Sequence, residues 1–241
     1  MQVGPSWRPR LLTGLIAALN PVAYWGRFVP LTNVPRGNGA ALLLVPGFMG
    51  AQITPMYFSL ERTLSSVEYT PRASGVGITA GCPNYLTQLV CGAIDTAAQR
   101  TGMQVHLIGH SLGSAIVRSA AKRRPTKVAS VISIAGTVRG ARVNPLVYTA
   151  ARLIIPQDCQ GDCHCRFHKS LSKSVPSSVA RLALYSRQDE VIVWEDCIEE
   201  AGGENIEVLW ANHFNIVTHA KTCQEIIGFL AAHPAKKLAI A

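Results

Sequence analysis

The sequence predicts a single α/β domain in which a mostly parallel sheet is flanked by helices. Short, continuous apolar runs alternate with longer helix-like segments, and this alternation is typical of βαβ units. The 241 residues are enough for one well-buried domain and not clearly for two. A hydrophobic content of 48% with 15% charged residues is globular and gives no sign of disorder.

The apolar runs of four to eight residues are predicted as strands, because a strand covered on both faces has no polar side to alternate with. The predicted strands are residues 40–45, 67–70, 105–108, 128–134, 182–189 and 206–213. The predicted helices are residues 51–64, 84–100, 114–124, 146–155 and 216–232.

The sequence motif with the clearest chemistry is Gly-His-Ser-Leu-Gly at residues 109–113, between a predicted strand and a predicted helix. In this context Gly-x-Ser-x-Gly forms a sharp turn that presents the serine, and the glycines remove side chains that the turn could not hold. The start of the next helix offers free N–H groups to an anion. Ser111 is therefore the predicted nucleophile, and His110 is interpreted as structural. The alternative is a glycine-rich turn after a core strand.

A nucleophilic serine needs a base and an acid, and the chain supplies Asp189 and then His213 after apolar runs. Open α/β sheets build their sites at the carboxyl ends of strands, where both residues are expected. His219 is the competing base, but it is predicted to lie inside the final helix, where packing would fix its side chain. Glu190 and Asp196 are the alternatives to Asp189.

Two main-chain amides are predicted to bind the oxyanion. One belongs to Leu112, directly after the nucleophile. The other belongs to Phe48 in the Pro-Gly-Phe-Met-Gly loop that follows the first predicted strand. An ordinary strand-ending turn is the alternative for this loop.

The strand–helix alternation stops between residues 138 and 178, which indicates a cap inserted between two strands. Helical apolar residues in the cap either line an acyl-binding cleft or pack in the core. These residues are Leu146, Val147, Tyr148, Leu153, Ile154 and Ile155.

The cap also holds Cys159, Cys163 and Cys165. A disulfide from Cys163 or Cys165 to Cys197 is the preferred interpretation. A zinc site completed by His164 or His168 is second, because a single cluster without paired Cys-x2-Cys spacing is weak evidence for zinc, and free thiols are third.

Residues 1–35 are interpreted as an N-terminal amphipathic segment. Its apolar run at residues 11–19 follows Arg8 and Arg10, is too short to span a bilayer, and ends before Pro21. We expect peripheral membrane contact through residues 7–30, and a cytoplasmic or membrane-peripheral location over secretion by an unusual signal peptide. The net charge of +9 is scattered and not organised as a stripe, so no nucleic-acid partner is expected.

From about residue 36 to about residue 230 the chain resembles bacterial α/β-hydrolases of the lipase/esterase-like group common in actinobacteria. The matching pieces are LLLVPGFMG, ITAGC, VHLIGHSLG, YSRQDEVIVWEDC and NHFNIVTH. The resemblance implies an α/β-hydrolase domain over residues 36–241 with a cap at 138–178, and Ser111, Asp189 and His213 as nucleophile, acid and base. Two loops depart from the family: Pro-Gly replaces His-Gly after the first strand, and Thr218-His219 replaces Asn-Pro.

The expected function is therefore a serine hydrolase that cleaves small-molecule carboxylic esters through an acyl-enzyme, with no cofactor and no catalytic metal. The same residues would serve a thioesterase or an acyltransferase. Two further alternatives are a non-catalytic module that binds a lipid or a partner, and a metal-dependent hydrolase built on the Cys/His cluster.

Overall fold

The computed structural model describes residues 31, 33–138, 142–155, 167–171, 173–199 and 202–238, with the side chains of residues 168 and 169 left out. Residues 1–30 of the predicted N-terminal amphipathic segment therefore lie outside the described residues, as does Cys159 with its two neighbouring cysteines. In the described part of the chain, no helix combines the length and the apolar character needed to cross a bilayer.

Six strands form one sheet in the order β2-β1-β3-β4-β5-β6, and every neighbouring pair is parallel. The predicted parallel sheet is thus confirmed. The strands are β1 (Ala41–Val45), β2 (Thr70–Arg72), β3 (Val105–His110), β4 (Val128–Ile134), β5 (Ala180–Tyr185) and β6 (Glu204–Glu207).

Helices connect the strands from β1 to β5, as parallel neighbours require, and the described part of the β5–β6 connection holds a 3₁₀ turn. They are α1 (Pro55–Ser65), α2 (Pro83–Thr101), α3 (Leu112–Arg123), α4 (Pro145–Ile154), α5 (Phe167–Leu171) and α6 (Ala220–Ala232), with 3₁₀ turns at Trp194–Cys197 and Asn215–Thr218. Three of them begin at a proline, whose missing N–H is not needed in a first turn.

Both faces of the sheet are buried, which explains why the strands are continuous apolar runs. In β1 the side chains of Leu42 and Leu44 pack in a cluster with α1 and α6, whereas Leu43 and Val45 pack on the opposite face with α2 and α3. All four side chains are completely buried.

Three predicted strand boundaries were wrong. The strand predicted over residues 182–189 is Ala180–Tyr185. Residues 67–69 are not strand, because the N–H groups of Val67 and Tyr69 bond back to the carbonyl of Leu64 at the end of α1. The strand predicted over residues 206–213 ends at Glu207. Glu207 pairs with Tyr185, the last residue of β5, so the chain beyond it has no neighbouring strand to bond with.

The sheet order changes direction at β1, since the chain first moves outward to β2 and then crosses back to β3. Open α/β sheets bind ligands at the carboxyl ends of the strands where the order reverses in this way. The Pro46–Gly50 loop follows β1 and Ser111 follows β3, so the fold brings these two predicted parts of the site to one place.

Candidate active site

Ser111 lies in the one-residue turn between β3 and α3, with φ 53° and ψ −124°. This left-handed conformation is strained for a residue with a side chain, and such strain clusters at functional sites. Two glycines make the turn sterically accessible. A Cβ on Gly109 would lie 2.5 Å from the backbone of Gly113, and one on Gly113 would lie 2.1 Å from the carbonyl oxygen of Val45. The strand–turn–helix context predicted for the motif is confirmed.

The two predicted oxyanion donors have free amides. Leu112 is the first residue of α3, so its N–H has no partner within the helix. Among the described residues, neither this N–H nor that of Phe48 makes a hydrogen bond. A Cβ on Gly47, the neighbour of Phe48, would lie 2.9 Å from the Ser111 Cβ, so the loop after β1 packs directly against the nucleophile.

Asp189 and His213 form a buried pair on the loops that follow β5 and β6. Asp189 Oδ2 lies 2.8 Å from His213 Nδ1, and both side chains are almost fully buried. Asp189 Oδ1 accepts the N–H groups of Val191 and Ile192, each at 2.8 Å, which fixes the carboxylate. Because a carboxylate only accepts, Nδ1 carries the proton and Nε2 of neutral His213 is left with a free lone pair.

The competing carboxylates have other partners. Glu190 contacts the main chain of His213 and not its ring: its Oε2 accepts the His213 N–H at 3.0 Å. Burial raises the pKa of the Glu190 carboxyl above its usual value. Asp196 forms an ion pair with Arg142, with the two side chains 2.9 Å apart.

The competing base, His219, does not lie inside a helix as predicted. The segment from residue 216 to 232 is divided into a 3₁₀ turn and α6, and His219 separates them as the N-cap of α6, where its Nδ1 accepts the N–H of Lys221. His213 is the histidine beside the Ser111 turn, since its ring centroid lies 4.8 Å from that of His110, the residue before Ser111.

Ser111 is 7% exposed, and its hydroxyl makes no hydrogen bond to any described residue, His213 included. The structure therefore brings Asp189 together with His213, and Ser111 together with the two predicted amide donors, without a hydrogen bond between Ser111 and His213. Such contacts are often loose in unliganded enzymes and tighten when substrate binds.

The start of the predicted cap contacts the loop that follows β5 and carries Asp189. Val143 forms an isolated antiparallel β-bridge with Ile192, and the Asn144 side chain donates a hydrogen bond to the Glu190 carbonyl. Of the two alternatives for the apolar residues of the predicted cap, core packing does not hold for α4: this helix has no buried residue, and Leu146 is 59% and Leu153 84% exposed. Near the start of α4, Val147 packs against Val191 and Ile192 of the loop that follows β5.

The preferred disulfide was also wrong, because Cys197 is a free thiol. It is buried beside Val191 and Ile192, and this burial raises the pKa of its thiol. Cys163, Cys165 and His164 lie outside the described residues, as does the side chain of His168, so the zinc interpretation stays a prediction.

Tyr57 was not predicted from the sequence, and its hydroxyl lies 2.8 Å from His110 Nδ1 in the buried layer beneath the Ser111 turn. Nothing in the sequence relates a tyrosine of the first helix to a motif more than 50 residues later. The contact of His110 with the main chain of His213, where Nε2 lies 2.8 Å from the carbonyl oxygen, was not predicted either.

Two buried histidines should make the protein less stable in mild acid. Burial lowers the pKa of His106 from 6.5 to about 4 and that of His110 to about 3. The unfolded chain therefore binds more protons between pH 6.5 and pH 4, and stability falls as the pH falls through this window. Between pH 7 and pH 5 each histidine should remove about 2 kcal/mol from the free energy of unfolding.

The contribution of His106 can be isolated with His106→Gln, since glutamine keeps hydrogen-bonding atoms near Ser130 but cannot gain a proton. Urea unfolding of both proteins at pH 7 and pH 5 measures it. The stability of the wild type relative to the variant should fall by about 2 kcal/mol at pH 5. An unchanged difference would show that His106 is not held neutral by burial.

Comparisons with known proteins agree with this architecture. A family model for the alpha/beta hydrolase fold matches residues 90–158. No curated protein sequence matches the chain significantly.

Three solved structures illustrate the similarity. A metagenome-derived lipolytic enzyme has a TM-score of 0.61 and 17% identity over 83% of this chain and 96% of its own. The monoacylglycerol lipase of Paleococcus ferrophilus has a TM-score of 0.58 and 13% identity over 83% and 97%. A carboxylesterase of Bacillus subtilis has a TM-score of 0.58 and 14% identity over 92% and 98%. Together with the parallel sheet and the flanking helices, these similarities show that the chain has the α/β-hydrolase fold.

Proposed function

We propose that the protein is a serine hydrolase that cleaves carboxylic esters, with Ser111 as nucleophile, His213 as base and Asp189 as acid. The observation that carries the proposal is the buried hydrogen bond from His213 Nδ1 to Asp189 Oδ2, beside a strained serine turn. A histidine oriented by a carboxylate, with its second nitrogen free, is the base that a serine nucleophile requires.

In the first half-reaction the Ser111 oxygen attacks the acyl carbon while its proton passes to His213 Nε2. The electron pair of the carbonyl becomes an oxyanion, which the free amides of Phe48 and Leu112 are suited to bind. Asp189 stabilises the imidazolium. When the tetrahedral intermediate collapses, the alkoxide leaving group takes the proton from His213 Nε2, and the acyl group stays on Ser111.

In the second half-reaction water replaces the alcohol. His213 Nε2 takes a proton from the water as its oxygen attacks the acyl carbon, and the same two amides receive the oxyanion. Collapse returns the proton to the Ser111 oxygen and releases the carboxylic acid. Neither half-reaction uses a cofactor.

Apolar side chains near the site favour an ester with an apolar acyl chain. Met49 directly follows the oxyanion residue Phe48 and is 52% exposed, and Trp210, shortly before His213, is 80% exposed. Because ligand sites are lined mostly by apolar and aromatic side chains, these two residues are candidates for contact with the acyl chain. The structurally similar proteins described as lipolytic enzymes, a monoacylglycerol lipase and a carboxylesterase support the same substrate class.

A fluorophosphonate probe tests the proposal directly, because it reacts with an activated serine and stays attached. We expect stoichiometric labelling of the wild type on the peptide that contains Ser111, and none in Ser111→Ala. Ser133→Ala is the matched control, since Ser133 is also buried and its hydroxyl has no hydrogen-bond partner among the described residues. Labelling that persists in Ser111→Ala would exclude Ser111 as the nucleophile.

A series of p-nitrophenyl esters of increasing chain length then measures the specificity. We expect turnover of short to medium acyl chains. Inertness across the whole series, together with an unlabelled wild type, would favour the non-catalytic lipid-binding or partner-binding alternative.

A further inference from the structure

A chain of three buried hydrogen bonds connects the segments of the candidate site. The N–H of Gly47 donates to the Tyr57 hydroxyl at 2.9 Å, and this hydroxyl lies 2.8 Å from His110 Nδ1. His110 Nε2 lies 2.8 Å from the carbonyl oxygen of His213. The side chains of Tyr57 and His110 are almost completely buried, so water does not compete for these bonds.

The two ends of the chain set the direction of every bond in it. At one end the Gly47 N–H can only donate, and at the other the His213 carbonyl can only accept. Tyr57 therefore accepts from Gly47 and donates its own proton to His110 Nδ1, and His110 donates from Nε2. This arrangement needs neutral His110 with its proton on Nε2. Burial favours the neutral form, because it lowers the pKa of His110 to about 3.

The Gly47 end of the hydrogen-bond chain lies at the Pro46–Gly50 loop, which carries the proposed oxyanion donor Phe48 and is called the oxyanion loop below. Tyr57 fixes the peptide before Gly47 through its N–H, and the Gly50 N–H donates to the Gly47 carbonyl at 2.8 Å. Because a trans peptide directs its N–H opposite to its C=O, this second bond sets the direction of the Phe48 N–H. Tyr57 thus anchors the loop that presents one of the two oxyanion donors.

The other end of the hydrogen-bond chain lies at His213, the proposed base. The peptide groups on both sides of the His213 Cα are held: His110 donates to the carbonyl at 2.8 Å, and Glu190 accepts the N–H at 3.0 Å. His110 also directly precedes Ser111. One imidazole therefore ties the loop of the base to the turn of the nucleophile.

We propose that His110, oriented by Tyr57, is a positioning residue that holds the oxyanion loop, the nucleophile turn and the histidine loop in register. The inference rests on the proposed serine-hydrolase function. Neither residue touches substrate. Their contribution is the relative placement of groups that do, and displacement of such groups by about 1 Å costs about 100-fold in rate.

Tyr57→Phe tests the proposal, because it removes a single oxygen from the chain. Gly47 then loses its acceptor, and His110 is free to move its proton to Nδ1, which would turn the Nε2 lone pair toward the His213 carbonyl. We expect kcat for a p-nitrophenyl ester to fall about 10- to 100-fold, with KM changed less than about 2-fold. Activity is expressed per active site, counted by exhaustive fluorophosphonate labelling.

Tyr69→Phe is the matched control. Tyr69 is also buried and its ring packs edge-on against a histidine of β3, His106, but among the described residues its hydroxyl makes no hydrogen bond. We expect its kcat to equal that of the wild type. A loss of kcat in Tyr57→Phe with KM unchanged and Tyr69→Phe unaffected supports positioning. Equal kcat in wild type and Tyr57→Phe overturns it.

The tautomer of His110 gives a readout that needs neither activity nor a stable variant. In ¹⁵N-labelled wild type at pH 7, we expect the His110 resonances of a neutral ring with a proton on Nε2 and none on Nδ1. A proton on Nδ1, or a charged ring, overturns the proposal even if Tyr57→Phe does not fold. The proposed function fails differently, by an unlabelled and inactive wild type, so the two failures are distinguishable.

Discussion

Replacing His213 by asparagine is expected to lower kcat for an ester by about 10⁶-fold, the loss that follows removal of the base from a Ser-His-Asp triad. Asparagine can still hydrogen bond to Asp189, but it cannot take the proton of the Ser111 hydroxyl. Because the base acts after the substrate has bound, KM should change far less than kcat. Steady-state kinetics with a p-nitrophenyl ester measures both, at a protein concentration high enough to detect the residual rate.

The same substitution at His219 is the control. His219 caps α6 by accepting the Lys221 N–H, and asparagine is among the residues that cap a helix best, so the fold should be preserved. We expect wild-type kcat for His219→Asn. If the large loss occurred at position 219 and not at 213, the base would be assigned to the wrong loop and the Asp189–His213 pair would be structural.

The places of the three triad candidates in the fold could be predicted from the sequence, because each follows a strand with a strong local signal. Ser111 is flanked by glycines that only a tight turn needs, and it follows a strand that is buried along its whole length. Asp189 follows the buried strand β5 closely. In these places the local chemistry and the global fold favour the same conformation, which is the condition under which sequence patterns are reliable.

The parts that sequence could not predict depend on contacts between distant segments. The apolar residues after Glu207 suggested a longer strand, but Leu209 is 61% and Trp210 80% exposed, since no neighbouring strand extends that far. His219 matched a helical pattern, yet its backbone is extended and its side chain caps the helix. The bond between Tyr57 and His110 joins two elements through a single hydroxyl, and no periodicity reports such a contact.

The second large effect is expected on stability, and it comes from a substitution of Gly113. Gly113→Ala is expected to lower the free energy of unfolding by about 3 kcal/mol or more. The added Cβ would lie 2.1 Å from the carbonyl oxygen of Val45 and 2.5 Å from that of Pro46. Both are main-chain atoms at the end of a buried strand, so neither can rotate away as a flexible side chain would. Either α3 or the end of β1 must move, and both carry predicted oxyanion donors.

Gly92→Ala is the matched control, because Gly92 also lies within a helix, α2, but a Cβ there would meet nothing within 4 Å. At this exposed position alanine should raise the stability by up to about 1 kcal/mol, through its better helix propensity. Urea unfolding of the two variants measures how the free energy of unfolding changes when the same methyl group is added at a tightly packed position and at an open one. If Gly113→Ala were as stable as Gly92→Ala, helix α3 would not cross β1 as closely as the turn at Ser111 requires, and the strained geometry of the nucleophile would lose its steric explanation.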